Sequence, residues 1–141
     1  MATYFQGAVQ AGANPSKYGT QYGNAVFAQT GINANVTGLV QDISFTLPAN
    51  SQILRITADT LTAYDSATSA TLSVGTASGG TTYMSGVDVK SNGREAPTLS
   101  AAQLLAMANI TTNTTVVATI TSVGQPTAGS VRVTVEYVIT E

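Results

Sequence analysis

The chain has no cysteine, no histidine and no tryptophan, and charged side chains make up only 9% of its 141 residues. Each gap excludes something. Without cysteine there are no disulfides, no thiol catalysis and no thiolate metal site, and the redox compartment stays open. Without histidine the commonest general base and metal ligand is gone. The charged fraction lies far below the roughly one quarter usual in globular domains. Its five basic residues, Lys17, Arg55, Lys90, Arg94 and Arg132, are scattered, and the formal net charge is −2. DNA or RNA binding needs clustered Lys and Arg, so no nucleic-acid partner is expected. No apolar run approaches the ~20 residues that cross a bilayer, so no membrane partner is expected either. The N-terminus shows no signal-peptide pattern, and synthesis in the cytoplasm is the expectation.

Thr, Ser, Asn, Gln, Gly and Ala take the place of the missing charges, and they are arranged with a period of two. In "VRVTVEYVIT", Val131, Val133, Val135, Tyr137 and Ile139 alternate with mostly polar neighbours, which marks a strand with one buried face. Each such side chain is worth ~1.5–3 kcal/mol when fully buried. "QDISFTLP" alternates in the same way through Ile43, Phe45 and Leu47. In "ILRITADTLTAY", Leu54, Ile56 and Ala58 share one parity and Leu61 and Ala63 the other, so a bulge near Asp59–Thr60 or a strand lined on both faces is expected. "SATLSVGTA" places Ala70, Leu72 and Val74 together, "TTYMSGVDVK" places Tyr83, Val87 and Val89 together, and "TTVVATITSV" adds a further strand. One segment departs from this grammar. In "SAAQLLAMAN", Ser100 and Gln103 have capping-box spacing ahead of Leu104, Leu105 and Met107, which predicts a helix of about two turns ending near Asn109. Seven or so short strands, polar turns and one short helix predict an all-β fold, an antiparallel β-sandwich or jelly roll.

Chemistry-bearing motifs are few. Asp59, Asp65 and Asp88 could supply oxygen ligands for calcium, but they lie in separate segments without a D-x-D-x-D-G loop, and read better as turn and edge residues. The other acids, Asp42, Glu95, Glu136 and Glu141, form no local carboxylate pair. A serine nucleophile would need Lys17 or Lys90 as its base, and no S-x-x-K spacing occurs. "SVGTASGGT" matches no phosphate-binding loop and reads as a hairpin turn. The N-x-[ST] sequons at Asn35, Asn109 and Asn113 are chance products of composition. No catalytic residue, metal site or cofactor is expected, and the chain reads as a non-enzyme.

The opening segment, "MATYFQGAVQAGANPSKYGTQYGNAVFAQTG", is different again. Its apolar residues keep no steady period and are interrupted by Gly, Gln and Asn. The expected organisation is therefore an extended N-terminal arm, residues 1–34, followed by the sandwich, residues 35–141. Three readings of the arm stand: a floppy terminus, a segment laid on its own domain, or a strap across neighbouring subunits. In the third, Tyr4, Phe5, Val9, Tyr18, Tyr22, Val26 and Phe27 are the interface anchors, since aromatic anchors dominate interface energetics.

From Val36 to Glu141 the chain resembles the small β-sandwich, jelly-roll-like decoration or cement proteins of tailed double-stranded DNA bacteriophage capsids. The likeness is carried by a strand ending in "LPA", the Thr/Ala strand "ADTLTAYDSATSATLSVGTA" and "SGVDVK". It implies a structural virion protein on the outer surface of the capsid, made in the host cytoplasm, which stabilises the head by bridging capsomers. Its implied partners are the major capsid protein and copies of itself, as a homotrimer or alternatively a dimer. The alternative is a phage tail or fibre-associated module that binds host glycan or another virion protein. For glycan, Tyr64 in the "AYDSAT" turn would be the best platform.

Overall fold

The computed structural model describes residues 25–35 and 38–140, and of Ala25, Val26 and Phe27 the backbone alone. Its elements run β1 Ala25–Asn33, β2 Val40–Leu47, β3 Ser51–Thr62, β4 Ser69–Gly75, β5 Met84–Asp88, β6 Gly93–Glu95, α1 Ala101–Ala108, β7 Thr114–Val123 and β8 Ser130–Ile139. They build two four-stranded antiparallel sheets, ordered β1-β8-β3-β6 and β2-β7-β4-β5. First pairs with last, second with second-last, and so inward to the β4–β5 hairpin. A long two-stranded ribbon wound round a core gives that order, which is the jelly roll.

The core lies between the sheets. Leu72, Val74, Val116, Ala118, Ile120, Val133 and Val135 are completely buried there, as the alternating sequence requires. Ile43 and Phe45 face the same way from β2, half-buried, with Leu47 fully inside. In β3 the parity argument fails. A bulge between Ile53 and Arg55 inserts one residue, so Ile53 and Ile56 are both buried while Leu54 turns outward. A second irregularity falls at Thr60–Thr62, just past the expected position, and leaves Leu61 half exposed. In β5, two steps along β4 match three along its partner, and the extra residue is accommodated at Gly86, whose φ is +64°.

Two strands lack the clear alternation that marks the others. β6 is three exposed residues, Gly-Arg-Glu, held against Ala58–Thr60 by the strand ladder and by the Arg94–Asp59 ion pair. Residues 25–33, read from the sequence as the end of the arm, run their whole length against β8 as β1. Of the described side chains on β1 only Ile32 is deeply buried. Residues 1–24, and with them the anchors Tyr4, Phe5, Val9, Tyr18 and Tyr22, lie outside the described residues. Val26 and Phe27 stand opposite Tyr137 and Glu136 in the β1–β8 register.

The helix forms as its capping box predicts. The Gln103 amide donates to Ser100 Oγ, and the Ser100 amide donates to Gln103 Oε1. Of its three large apolar residues only Met107 enters the core; Leu104 and Leu105 are 54% and 77% exposed.

The glycine-rich β4–β5 connection is more than a turn. It folds back over the outer face of the second sheet, where the Gly79 amide donates to Thr119 Oγ1 at 2.8 Å and that hydroxyl donates to Asp42 at 2.6 Å. Thr119 is fully covered as a result. Thr119→Val keeps the shape and removes both bonds. It is expected to cost ~1 kcal/mol of stability and to speed hydrogen exchange at the Gly79 amide, read by NMR.

Candidate interaction surfaces

The groups that could have made a chemical site are dispersed. Asp59 is held by Arg94, with Nε–Oδ1 at 2.6 Å and a second bond from Nη2 at 3.3 Å. These bonds keep its carboxyl below the usual range, with Arg132 across the strand adding to the effect. Asp88 accepts the Lys90 amide two residues on, which is a turn contact. Lys90 Nζ donates to the Ser66 and Thr68 carbonyls and so ties a loop. Asn113 accepts the Ala49 amide. Among the described residues no three acidic side chains converge on one point. Asp59, Asp65 and Asp88 each serve a separate piece of local structure.

Asp65 does the most of the three. Its carboxylate accepts from the Thr127 amide, the Thr127 hydroxyl and the Ala128 amide, which joins the β3–β4 loop to the β7–β8 loop. These bonds favour the charged form and pull its carboxyl down to about 2, from an ordinary value of 3.8. A depressed folded-state value means that the carboxylate stabilises the fold fully above the unfolded value. That contribution fades as pH falls from about 4 through about 2. In thermal melts, Asp65→Asn should therefore be less stable than the parent at pH 6, with the difference closing towards zero near pH 2.

Tyr64 lies beside this clasp and is 1% exposed. Its ring packs on Gly129, and its hydroxyl sits 3.5 Å from the Ile32 carbonyl. Burial pushes its phenol up to about 12. This corrects the expectation that Tyr64 could form a glycan platform, because no ligand can reach the ring. Tyr83 and Tyr137 are buried and Phe45 is half-buried, so the described aromatic side chains serve the core. The "AYDSAT" turn is polar, but its tyrosine points inward to tie loops together.

Two surfaces differ in character. The outer face of the first sheet carries Arg55 paired with Glu136 at 2.7 Å and the Arg94–Asp59–Arg132 row, beside exposed Leu61. The outer face of the second sheet, read from the register, presents Ser44, Thr46, Ser69, Thr71, Thr115 and Thr121, with Asp42 as an acidic member. At one end of that face Leu39, Val40 and Val123 are each about half exposed, and the Ser122 amide bonds to the Leu39 carbonyl. Where the two sheets' edge strands β1 and β2 approach each other, a cleft of about 290 Å³ opens between Gly31–Asn33 and Val40–Ile43. These are the candidate contact surfaces among the described residues. Sequence reasoning missed them because the pairing of β1 and β2 with distant strands is what creates the cleft. No described helix is long and apolar enough to cross a membrane.

No protein-family model and no curated protein matches the sequence. Among solved structures, the chain is similar to one from a cyanophage Pam1 capsid asymmetric unit, with a TM-score of 0.59 and 22% sequence identity. The match covers 83% of this chain and 86% of the other. At that identity the likeness speaks to the shared fold.

Proposed function

We propose that the protein is a structural component of a bacteriophage virion, a decoration or cement protein that stabilises the head by bridging capsomers. The observation that carries this reading is the likeness in fold, over 83% of this chain and 86% of the other, to a chain from a cyanophage capsid, set beside this chain's own jelly-roll strand order. The sequence supports it independently through its resemblance to decoration proteins of tailed phages. A shell holding packed DNA gains from many copies of a weak contact, because linked binding events multiply. A rigid sandwich supplies the body of such a brace. The anchors of residues 1–24, with Val26 and Phe27 at the start of β1, supply the reach. The partners in this reading are the major capsid protein and copies of itself, in a closed trimer or alternatively a dimer on the outer capsid surface. Neither reaction chemistry nor a cofactor enters the role.

The test is particle binding. Full-length protein added to heads lacking it should co-sediment with them, and a chain starting at Ala25 should lose at least ~10-fold in retention while melting as a folded sandwich. Removing residues 1–30 would be the wrong experiment, since it deletes most of β1. Undiminished decoration by the Ala25 chain would defeat the bridging role assigned to the arm. The tail or fibre alternative loses its glycan platform with the burial of Tyr64.

A further inference from the structure

The cleft between β1 and β2 has properties that together specify an occupant. Among the described residues β1 is the outermost strand of its sheet and β2 of the other, so the two strands flank one opening. The floor is Ile32, 4% exposed, and the wall is Val40, 52% exposed. Exposed Leu39 and Val123 continue the apolar strip beyond Val40. Among the described lining residues the single charged one is Asp42.

The chain itself contains a segment of matching character. Residues 1–24 carry one charged side chain, Lys17, next to Tyr18 and surrounded by small and amide-bearing residues. A near-neutral, glycine-rich stretch with one cation suits a near-neutral cleft with one anion. The direction of β1 decides which copy supplies it. β1 runs from Ala25 towards the cleft, which lies six to eight residues further on, ~20–27 Å of extended strand. The leading segment therefore joins at the end away from its own cleft and must reverse just before Ala25 to reach it. Continued without reversal, it spans up to ~80 Å, enough to reach the same cleft on a neighbour.

We propose that the β1–β2 cleft receives residues 1–24 of a second copy, with Lys17 meeting Asp42 and Tyr18 covering Val40. This deepens the reading of the arm as a strap by naming its seat. The absence of cysteine makes the test clean. Two full-length single-cysteine variants, Val40→Cys and a size-tagged Tyr18→Cys, are mixed and mildly oxidised. A mixed disulfide can then form only between copies. It should exceed by at least ~10-fold that from Tyr18→Cys with Ser91→Cys, placed in the exposed β5–β6 turn. Adding Asp42→Lys to the Val40→Cys chain should reduce the product several-fold, and Lys17→Asp in its partner should restore it. The proposal is overturned if the mixed product stays at the Ser91 level. It is equally overturned if the double variant Tyr18→Cys/Val40→Cys closes within single chains. Head co-sedimentation of the uncross-linked charge variants separates the two ideas. Decoration that persists without the cross-link removes this seat and leaves the decorating role standing; a cross-link without decoration does the reverse.

Discussion

Gly129→Ala should lower the thermal midpoint by about 10 °C, one of the largest effects expected from so small a change. A methyl group built there meets Cγ, Cδ1 and Cδ2 of Tyr64 at 2.5–2.7 Å, well inside contact distance. The backbone is also at φ +152°, where side chains are disfavoured. Relief would need the ring to move, and the ring has nowhere to go. The Tyr64 amide is bonded to the Val89 carbonyl, and the next residue is clasped to Thr127 and Ala128. The Gly129 carbonyl itself accepts from Ala34, so shifting the glycine would loosen the β1–β2 connection. Overpacking against a fixed wall together with backbone strain costs ~2–4 kcal/mol. At a few degrees per kcal/mol in a domain of this size, that gives the stated shift, read by calorimetry. Gly31→Ala is the control. Its added methyl meets nothing within 4 Å and its strand is regular, so stability should be unchanged or rise by up to ~1 kcal/mol. A Gly129→Ala chain that melts like the parent would mean that Tyr64 does not lock the loops as described.

The contrast between these glycines shows where sequence reading stops. Alternation exposed β2, β4, β7 and β8 because their inward residues bury enough surface to dictate the pattern, and the capping box placed α1 through two local hydrogen bonds. Position 129 looked like any turn glycine, because its partner is a tyrosine sixty-five positions earlier. β1 and β6 were hidden for a related reason. Their place is fixed by ladder bonds to β8 and β3, which depend on the neighbour and leave little trace in a weakly apolar strand. The Leu54 bulge defeats parity in the same way, since the extra residue is visible only against β8. The interaction surfaces share this fate. The apolar strip of Leu39, Val40 and Val123 joins the end of β7 to the start of β2 and the residue before it, and no spacing rule links them.

Leucine makes the point quantitative, and carries the last prediction. Leu72 on β4 and Leu105 on α1 are both apolar residues in elements that the sequence placed correctly. The structure gives them opposite weights. Leu72 is 0% exposed, set between the β5 and β7 strands at the centre of its sheet, whereas Leu105 is 77% exposed. Leu72→Ala removes buried methyl groups and leaves a cavity that the rigid neighbouring strands cannot fully close. The expected loss is ~2–5 kcal/mol, a large share of the 5–15 kcal/mol that holds a typical domain together. Leu105→Ser alters a side chain already in solvent, and should change stability by no more than ~0.5 kcal/mol. Urea unfolding of both variants beside the parent, with unchanged slopes, measures the two numbers directly. A large loss at Leu105 would mean that the helix seals the sandwich with a second apolar face. A small loss at Leu72 would mean that the sheets are not packed as drawn, and the jelly-roll assignment would fall with it.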